Sequence, residues 1–374
     1  MRGGILVSRV PAGTYAGRDA ALATLWSRAE APNPHMAPPA IGAALASGVP
    51  EREIVVLEAR TAPDGPLVGV WALRRQAGLR SGFAPVLTAP LVPLYETSSA
   101  PVLDRDHAMA AGRALLAAIL DDPALPKVLS LPLLPLHGQA ANALEAGLAA
   151  LGGRLRRFEH WQRPMLIPRA GEDATAYLRR ALGSGYKKRM QQHRQLRKAG
   201  DLVYTRHRGA DAVVALDTLL ALEASGWKGR AGTALAQRPH DAAYIREIVA
   251  RFAAVDAVRI DLLGLDGQPL AGGLLLDRAG RSHFIKIAYD ESRARLSPGR
   301  ALAIAMLQAD FAAGTPFSLD SGAGDGVDAA PYPWAERQPM ANVLVTVGST
   351  GDLRPRLAAQ ARALLRRWRA RLRG

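Results

Sequence analysis

The residues best suited to chemistry lie between His283 and Ala301. The run His283-Phe-Ile-Lys286-Ile-Ala-Tyr289-Asp290 has the β-branched and aromatic content of a buried strand. Beyond it, Ser297-Pro298-Gly299-Arg300-Ala301 reads as a helix start. Ser297 suits the N-cap, Pro298 the first helical position, and Gly299 leaves the neighbouring amides uncovered. Arg295 and Arg300 flank that start. Open N–H groups at the positive end of a helix dipole, with guanidiniums alongside, suit a phosphate or pyrophosphate. The same residues also suit a plain capped helix with solvated arginines, and by themselves they leave both readings open.

These residues need a framework. The chain has 374 residues, 49% of them hydrophobic, which is enough for two domains with a core each. It has no cysteine, which removes disulfides, thiolate metal sites and a cysteine nucleophile. The first residues hold no apolar core long enough for a secretory signal, and no run of about 18 apolar residues exists. A cytoplasmic protein is expected. The net charge of +15 is unevenly spread: residues 1–165 carry 16 basic against 13 acidic residues, the remainder 32 against 20. Two stretches without an acid hold much of the excess, one from Arg179 to Lys198 and one from Arg354 to Arg373. Such concentrations favour an anionic partner, whether a cofactor, a nucleic acid or an acidic membrane.

Helices are expected over 19–31, 39–47, 107–120 and 139–151, with a hairpin of 54–60 and 67–73 and a short strand at 127–131. A basic helix over 173–199 opens the second half, followed by helices at 211–225 and 241–254. A hairpin of 258–264 and 270–276 then leads to the strand at 282–289, the helix opening at Ser297 and a strand at 317–320. The halves repeat each other. Asp64-Gly65-Pro-Leu-Val-Gly returns as Asp266-Gly267-Gln-Pro-Leu-Ala-Gly, and Gly112-Arg-Ala-Leu returns as Gly299-Arg-Ala-Leu, in the same order. Gly112 falls inside its helix, whereas Gly299 begins one, so only the second half is expected to hold an anion.

Taken in order, these motifs resemble those of a known group: Lys187-Lys-Arg with Arg194-Gln-Leu-Arg-Lys-Ala-Gly200, Glu223-Ala-Ser-Gly-Trp227-Lys228-Gly-Arg-Ala-Gly232-Thr-Ala-Leu235, Lys286-Ile-Ala-Tyr289-Asp290, Ser297-Pro298-Gly299, and Leu319-Asp320. The group is the CelD/BcsL-type (cellulose-biosynthesis-associated) branch of the GNAT superfamily, cousins of the FemAB peptidoglycan aminoacyltransferases. Upstream, Glu30-Ala-Pro-Asn-Pro34 and Ala89-Pro-Leu-Val resemble the family's first domain. The resemblance implies an α/β (α+β) fold of two tandem GNAT-like domains, each a mixed central sheet flanked by helices. Residues 1–165 would form one without acyl-CoA, residues 166–350 the acetyltransferase, and residues 351–374 a basic amphipathic helix. It further implies acetyl-CoA or another acyl-CoA as co-substrate, no metal, and a pyrophosphate held by Arg295, Ser297, Pro298, Gly299, Arg300 and Ala301. The family's usual Tyr-Lys pair is Tyr332-Pro333 in this chain.

Acyl transfer needs a base, donors for the oxyanion and an acid for the thiolate. Asp320 is the leading base, although it also suits a turn-forming aspartate before glycines. Tyr289 is the candidate thiolate acid, and Glu223, Trp227, Lys228, Lys286 and Tyr332 are candidates for the acceptor side. The expected reaction is direct attack on acyl-CoA by an amine or hydroxyl of a small-molecule, saccharide or cell-envelope acceptor. Two alternatives remain: a FemAB-type transferase using charged tRNA, and a degenerate, non-catalytic pair that binds polyanions. In each, the basic helices would meet tRNA or an acidic membrane surface, the latter placing the protein at the inner face of the membrane.

Overall fold

A computed structural model describes residues 4–76, 85–89, 91–92, 95–324 and 332–349; the expected C-terminal helix at 351–374 lies outside them. The chain divides into two compact units, Arg163–Arg337 forming unit 2 and the rest unit 1. In chain order unit 1 contains β1 (Leu6–Val10), α1 (Ala12–Ala16), α2 (Ala23–Arg28), α3 (Pro38–Ala46), β2 (Ile54–Arg60), β3 (Leu67–Gln76), β4 (Val86–Thr88), β5 (Val102–Leu103), α4 (Ala108–Asp121), β6 (Val128–Pro135) and α5 (Gln139–Ala150). Strand β7 (Arg154–Leu166) leads into unit 2, which continues with α6 (Ala174–Leu182), α7 (Tyr186–Lys198), β8 (Leu202–Arg208), α8 (Gly209–Ser225), α9 (Trp227–Arg230), α10 (Pro239–Ala253), β9 (Val258–Leu265), β10 (Gln268–Arg278), β11 (Arg281–Tyr289), α11 (Pro298–Ala312) and β12 (Ser318–Asp320). Strand β13 (Glu336–Thr346) returns the chain to unit 1, where it pairs antiparallel with β6. The division is therefore not the contiguous one expected at residue 165, because the buried run Met340–Val345 belongs to the ladder with β6.

Each unit is a mixed sheet flanked by helices, and the two share one plan. Unit 1 orders its strands β1-β2-β3-β4-β6-β13, and unit 2 orders its own β8-β9-β10-β11-β12-β7. All these pairings described are antiparallel except the fourth with the fifth, β4 with β6 and β11 with β12. A parallel pair needs a crossover. In both units the crossover contains the Gly-Arg-Ala-Leu helix, α4 or α11.

The two glycines of that motif do different work. In α4, a Cβ on Gly112 would lie 2.7 Å from the Ala143 Cβ of α5, so the glycine permits close helix packing. Gly112→Leu is accordingly expected to destabilise the protein by about 1–3 kcal/mol in urea titration through overpacking. A variant as stable as the parent would show that α4 and α5 can separate freely. The basic helix expected over 173–199 is in fact two helices. Gly183, at φ 50 and ψ −130, adopts a conformation open to glycine and breaks it into α6 and α7.

In unit 1 the stretch around Pro32-Asn33-Pro34 is buried and structural. Asn33 Nδ2 donates to the carbonyls of Ser98 (3.1 Å) and Ala100 (2.8 Å), and the Thr97 N–H donates to His35 Nε2 at 2.9 Å. Glu96 is buried beside them and accepts the N–H groups of Leu91 (3.0 Å) and Val92 (2.9 Å). Burial outweighs those two bonds and the Arg74 charge, raising its pKa to about 8. A pKa raised on folding gives stability that is present at acidic pH and lost as pH rises through about 8. Melting temperature is expected to fall over that rise, and Glu96→Gln is expected to flatten the fall; an unchanged slope in the variant would assign it to other groups.

Candidate functional site

Strand β11 passes through a short 3₁₀ segment, Glu291–Leu296, into Ser297 and α11. Ser297 does not cap the helix through its side chain; its backbone is left-handed, at φ 54 and ψ 54. Its carbonyl instead accepts the N–H groups of both Arg300 and Ala301, each at 3.1 Å. Pro298 has no N–H to offer. The helix start thus presents not a row of bare amides but one, that of Gly299, which has no acceptor among the described residues. Gly299 is buried, and a Cβ there would lie 3.0 Å from the Tyr332 hydroxyl, 3.4 Å from Ile287 Cδ1 and 3.5 Å from Tyr289 Cδ1. A side chain here would press chiefly on the Tyr332 hydroxyl, so packing favours glycine whatever the function.

Two guanidiniums, one from the first turn of α11 and one from α7, meet on a single glutamine. Arg300 Nη1 donates to Gln192 Oε1 of α7 at 3.0 Å, and Arg189 Nη1 donates to the same oxygen at 3.5 Å. Arg300 Nε is buried without a hydrogen-bond partner. Among the described residues neither arginine meets a carboxylate. Burial, and then repulsion from Arg189, lowers the Arg300 pKa. Among the described residues the pair therefore has no balancing negative charge. Of the other residues expected at this place, Arg295 is exposed on the 3₁₀ segment, whereas Ala301 is buried in the unit 2 core. Gln192 and Arg189 carry no signal in the sequence that would single them out from the rest of the basic helix.

The strand ladder opens beside this start. Strands β11 and β12 pair over only three positions, ending at His283 with Asp320. Beyond His283, β11 continues to Tyr289 with β10 as its strand partner, and Tyr289 is 38% exposed. A bulge between Leu274 and Leu275 of β10 shifts the register here. Lys286 lies in this open stretch. Its Nζ is 2.7 Å from Glu223 Oε1, and Lys228 Nζ lies 3.2 Å from the same oxygen. The other oxygen, Oε2, accepts the Leu235 N–H at 3.0 Å. Trp227, 53% exposed, sits beside Lys228 with the ammonium 5.8 Å from a ring centroid. Four residues expected on the acceptor side are thus brought together. Tyr332 is not with them: it lies against Gly299 and stacks on Trp334 at 6.1 Å.

Asp320 sits at the other end of the open stretch. It is buried, accepts the Gly322 N–H at 2.8 Å, and lies 3.3 Å from Nη1 of the fully buried Arg163. Burial favours its neutral form, but Arg163, His283, the Gly322 N–H and Arg281 together hold its pKa below the usual value. A carboxylate held so firmly ionised is a weak proton acceptor. It is also remote from Tyr289. Asp320 pairs in register with His283, and the six residues onward to Tyr289 span roughly 20 Å of strand. The two candidates for base and acid therefore do not face one reacting atom. Arg163, the partner that decides the state of Asp320, went unmarked in the sequence because it lies far upstream in β7.

Residues 184–332, within unit 2, match the family model described as an acetyltransferase (GNAT) domain. Among solved structures, FemX aligns with a TM-score of 0.59 at 12% identity, covering 91% of this chain and 97% of that one. The C-terminal DUF2156 domain of an Agrobacterium fabrum protein described as a lysylphosphatidylglycerol synthetase aligns at 0.56 with 13% identity, covering 95% of each. A conserved protein of unknown function from Bacteroides thetaiotaomicron aligns at 0.54 with 12% identity, covering 91% of this chain and 100% of that one. At such identities these likenesses show the fold. No curated protein sequence matches the chain. Unit 2 has the fold of a GNAT domain. No helix among the described residues is long and apolar enough to cross a membrane.

Proposed function

We propose that unit 2 transfers an acyl group, acetyl or longer, from coenzyme A to an amine or hydroxyl acceptor. The observation that carries this reading is the pair Arg189 and Arg300, held on one glutamine oxygen at the start of α11 with no carboxylate partner among the described residues, together with the open Gly299 N–H. A diphosphate would supply the missing charge, and the buried, unpartnered Arg300 Nε fits it. The acceptor side is the group formed by Glu223, Trp227, Lys228 and Lys286. Unit 1 has no equivalent opening at Gly112 and is assigned a structural part. The resemblance to the CelD/BcsL-type branch supports an envelope or polysaccharide acceptor.

A specific feature supports a second reading. On α7, Lys187, Lys188, Arg194, Arg197 and Lys198 are exposed and make no ion pair among the described residues. That face suits a polyanionic donor such as charged tRNA, or an acidic membrane surface. The two readings separate on one experiment. The full chain is melted with acetyl-CoA and longer thioesters, and its RNA affinity is measured across salt. A rise in melting temperature that grows with thioester concentration supports the first reading. RNA binding that falls steeply with salt, with no response to any thioester, supports the second.

A further inference from the structure

Tyr332 is the expected acceptor residue that the fold places elsewhere: its hydroxyl lies 3.0 Å from where a Cβ on Gly299 would stand. The ring is fixed from behind. It lies parallel to Trp334, with 3° between the planes and 6.1 Å between centroids, and Trp334 belongs to the unit 2 core. Pro333, between the two, restricts the backbone. The Trp334 N–H donates to the Tyr332 carbonyl at 2.9 Å, and Arg337 Nη1 donates to the Trp334 carbonyl at 2.7 Å. One residue on, the Ala335 N–H donates to the Tyr177 hydroxyl at 3.1 Å. All this anchoring ends on a half-buried phenol whose hydroxyl makes no hydrogen bond among the described residues. Phenylalanine would stack on Trp334 as well, so packing does not account for the oxygen.

Around the first turn of α11, donors outnumber acceptors. The Gly299 N–H has no acceptor among the described residues, and Arg300 Nε is buried without one. Gln192 Oε1 is already shared by Arg300 and Arg189. Tyr332 adds an O–H to this surplus. Burial first, and then Tyr289, raises its pKa against the pull of Arg300, so the phenol keeps its proton and remains a donor. The missing partner therefore brings acceptors, negative charge for the arginines, and no donor of its own. Phosphate oxygens meet that description, whereas an amine or a sugar hydroxyl brings further donors.

We propose that Tyr332 binds the donor and not the acceptor, its O–H donating to an oxygen of the coenzyme A diphosphate at the start of α11. The assignment rests on the acyl-CoA reading and adds to it a side chain from outside the helix. The rigid stack on Trp334 gives that side chain a fixed place before the ligand arrives, so little ordering opposes the new hydrogen bond.

The experiment compares the full chain with Tyr332→Phe, which keeps the stack and removes only the hydroxyl. Each protein is titrated with acetyl-CoA, with acetyl-3′-dephospho-CoA and with S-acetylpantetheine, which carries no phosphate. The variant is expected to bind both CoA thioesters about tenfold more weakly, the usual loss for a hydrogen bond to a charged group. It is expected to bind S-acetylpantetheine as the parent does. A variant that folded less completely would lose affinity for all three alike and would not imitate this pattern. In ³¹P spectra of bound acetyl-CoA, the diphosphate signals are expected to differ between the two proteins and the 3′-phosphate signal to coincide. Parental affinity for acetyl-CoA in the variant, or an equal loss for S-acetylpantetheine, overturns the assignment and leaves the transfer reading standing. A loss confined to acetyl-CoA and absent with the 3′-dephospho form puts the hydroxyl on the 3′-phosphate, which overturns it as well. A parent that binds none of the three sinks the transfer reading, and the assignment with it.

Discussion

Arg259→Met is expected to destabilise unit 2 by about 3–5 kcal/mol, the usual cost of removing one partner from a buried ion group. Arg259 is 2% exposed and grips Asp310 of α11 with two bonds, at 2.6 and 3.1 Å. Its Nε lies 3.4 Å from Asp261. Arg206 of β8 meets the same two carboxylates, Asp261 at 2.9 Å and Asp310 at 2.7 Å. Burial opposes the charge on both arginines, but the aspartates, Asp261 first, outweigh it and raise their pKa values. Methionine in place of Arg259 leaves two enclosed carboxylates with one guanidinium. Removing Asp310 as well, in Arg259→Met with Asp310→Leu, is expected to recover part of the loss, because it restores the balance of charge. Urea unfolding of the three proteins checks this. A single variant within about 1 kcal/mol of the parent would mean that water reaches the group. The network ties the C-terminal end of α11, at Asp310, to β8 and β9.

The second large effect is on donor binding. Arg300→Glu is expected to weaken acetyl-CoA binding at least thirtyfold, from the roughly 2 kcal/mol or more lost when a partly buried charge in a binding site is removed. The substitution does more than remove a cation. It sets a carboxylate beside Arg189, where the two can pair and complete the site without any ligand. Gln192→Ala is expected to act more mildly, since it releases both guanidiniums without changing their charge. Gly299 is a poor place to run this test, because Tyr332, Ile287 and Tyr289 already fill the space around it and a larger residue would disturb the packing. Titration calorimetry with acetyl-CoA reads both variants. Equal affinity for Arg300→Glu and the parent removes the diphosphate from this helix start.

Much of this protein could be read along the chain. The hairpins at 54–73 and 258–276, the helices α4, α5, α8, α10 and α11, and the strand carrying Lys286 all rest on local patterns of apolar residues and on turn chemistry. Asp266-Gly267 shows why: both residues have positive φ, as the tight turn demands. The repeat of that hairpin with a Gly-Arg-Ala-Leu helix announced the shared plan of the two units. Strands β1, β8 and β13 escaped, since each earns its place by pairing with a distant partner rather than by its own pattern.

What the sequence by itself determined was the set of elements and the short list of residues able to do chemistry. Only the tertiary structure decided which of them meet. It set Lys286 and Lys228 on one oxygen of Glu223, tied Asp320 to Arg163, and joined Arg300 to Arg189 through a glutamine. The physical reason is that periodicity and turn preference act over a few residues, whereas the protonation state of a side chain depends on charges and burial supplied by elements 50 or more residues away, such as α8 opposite β11.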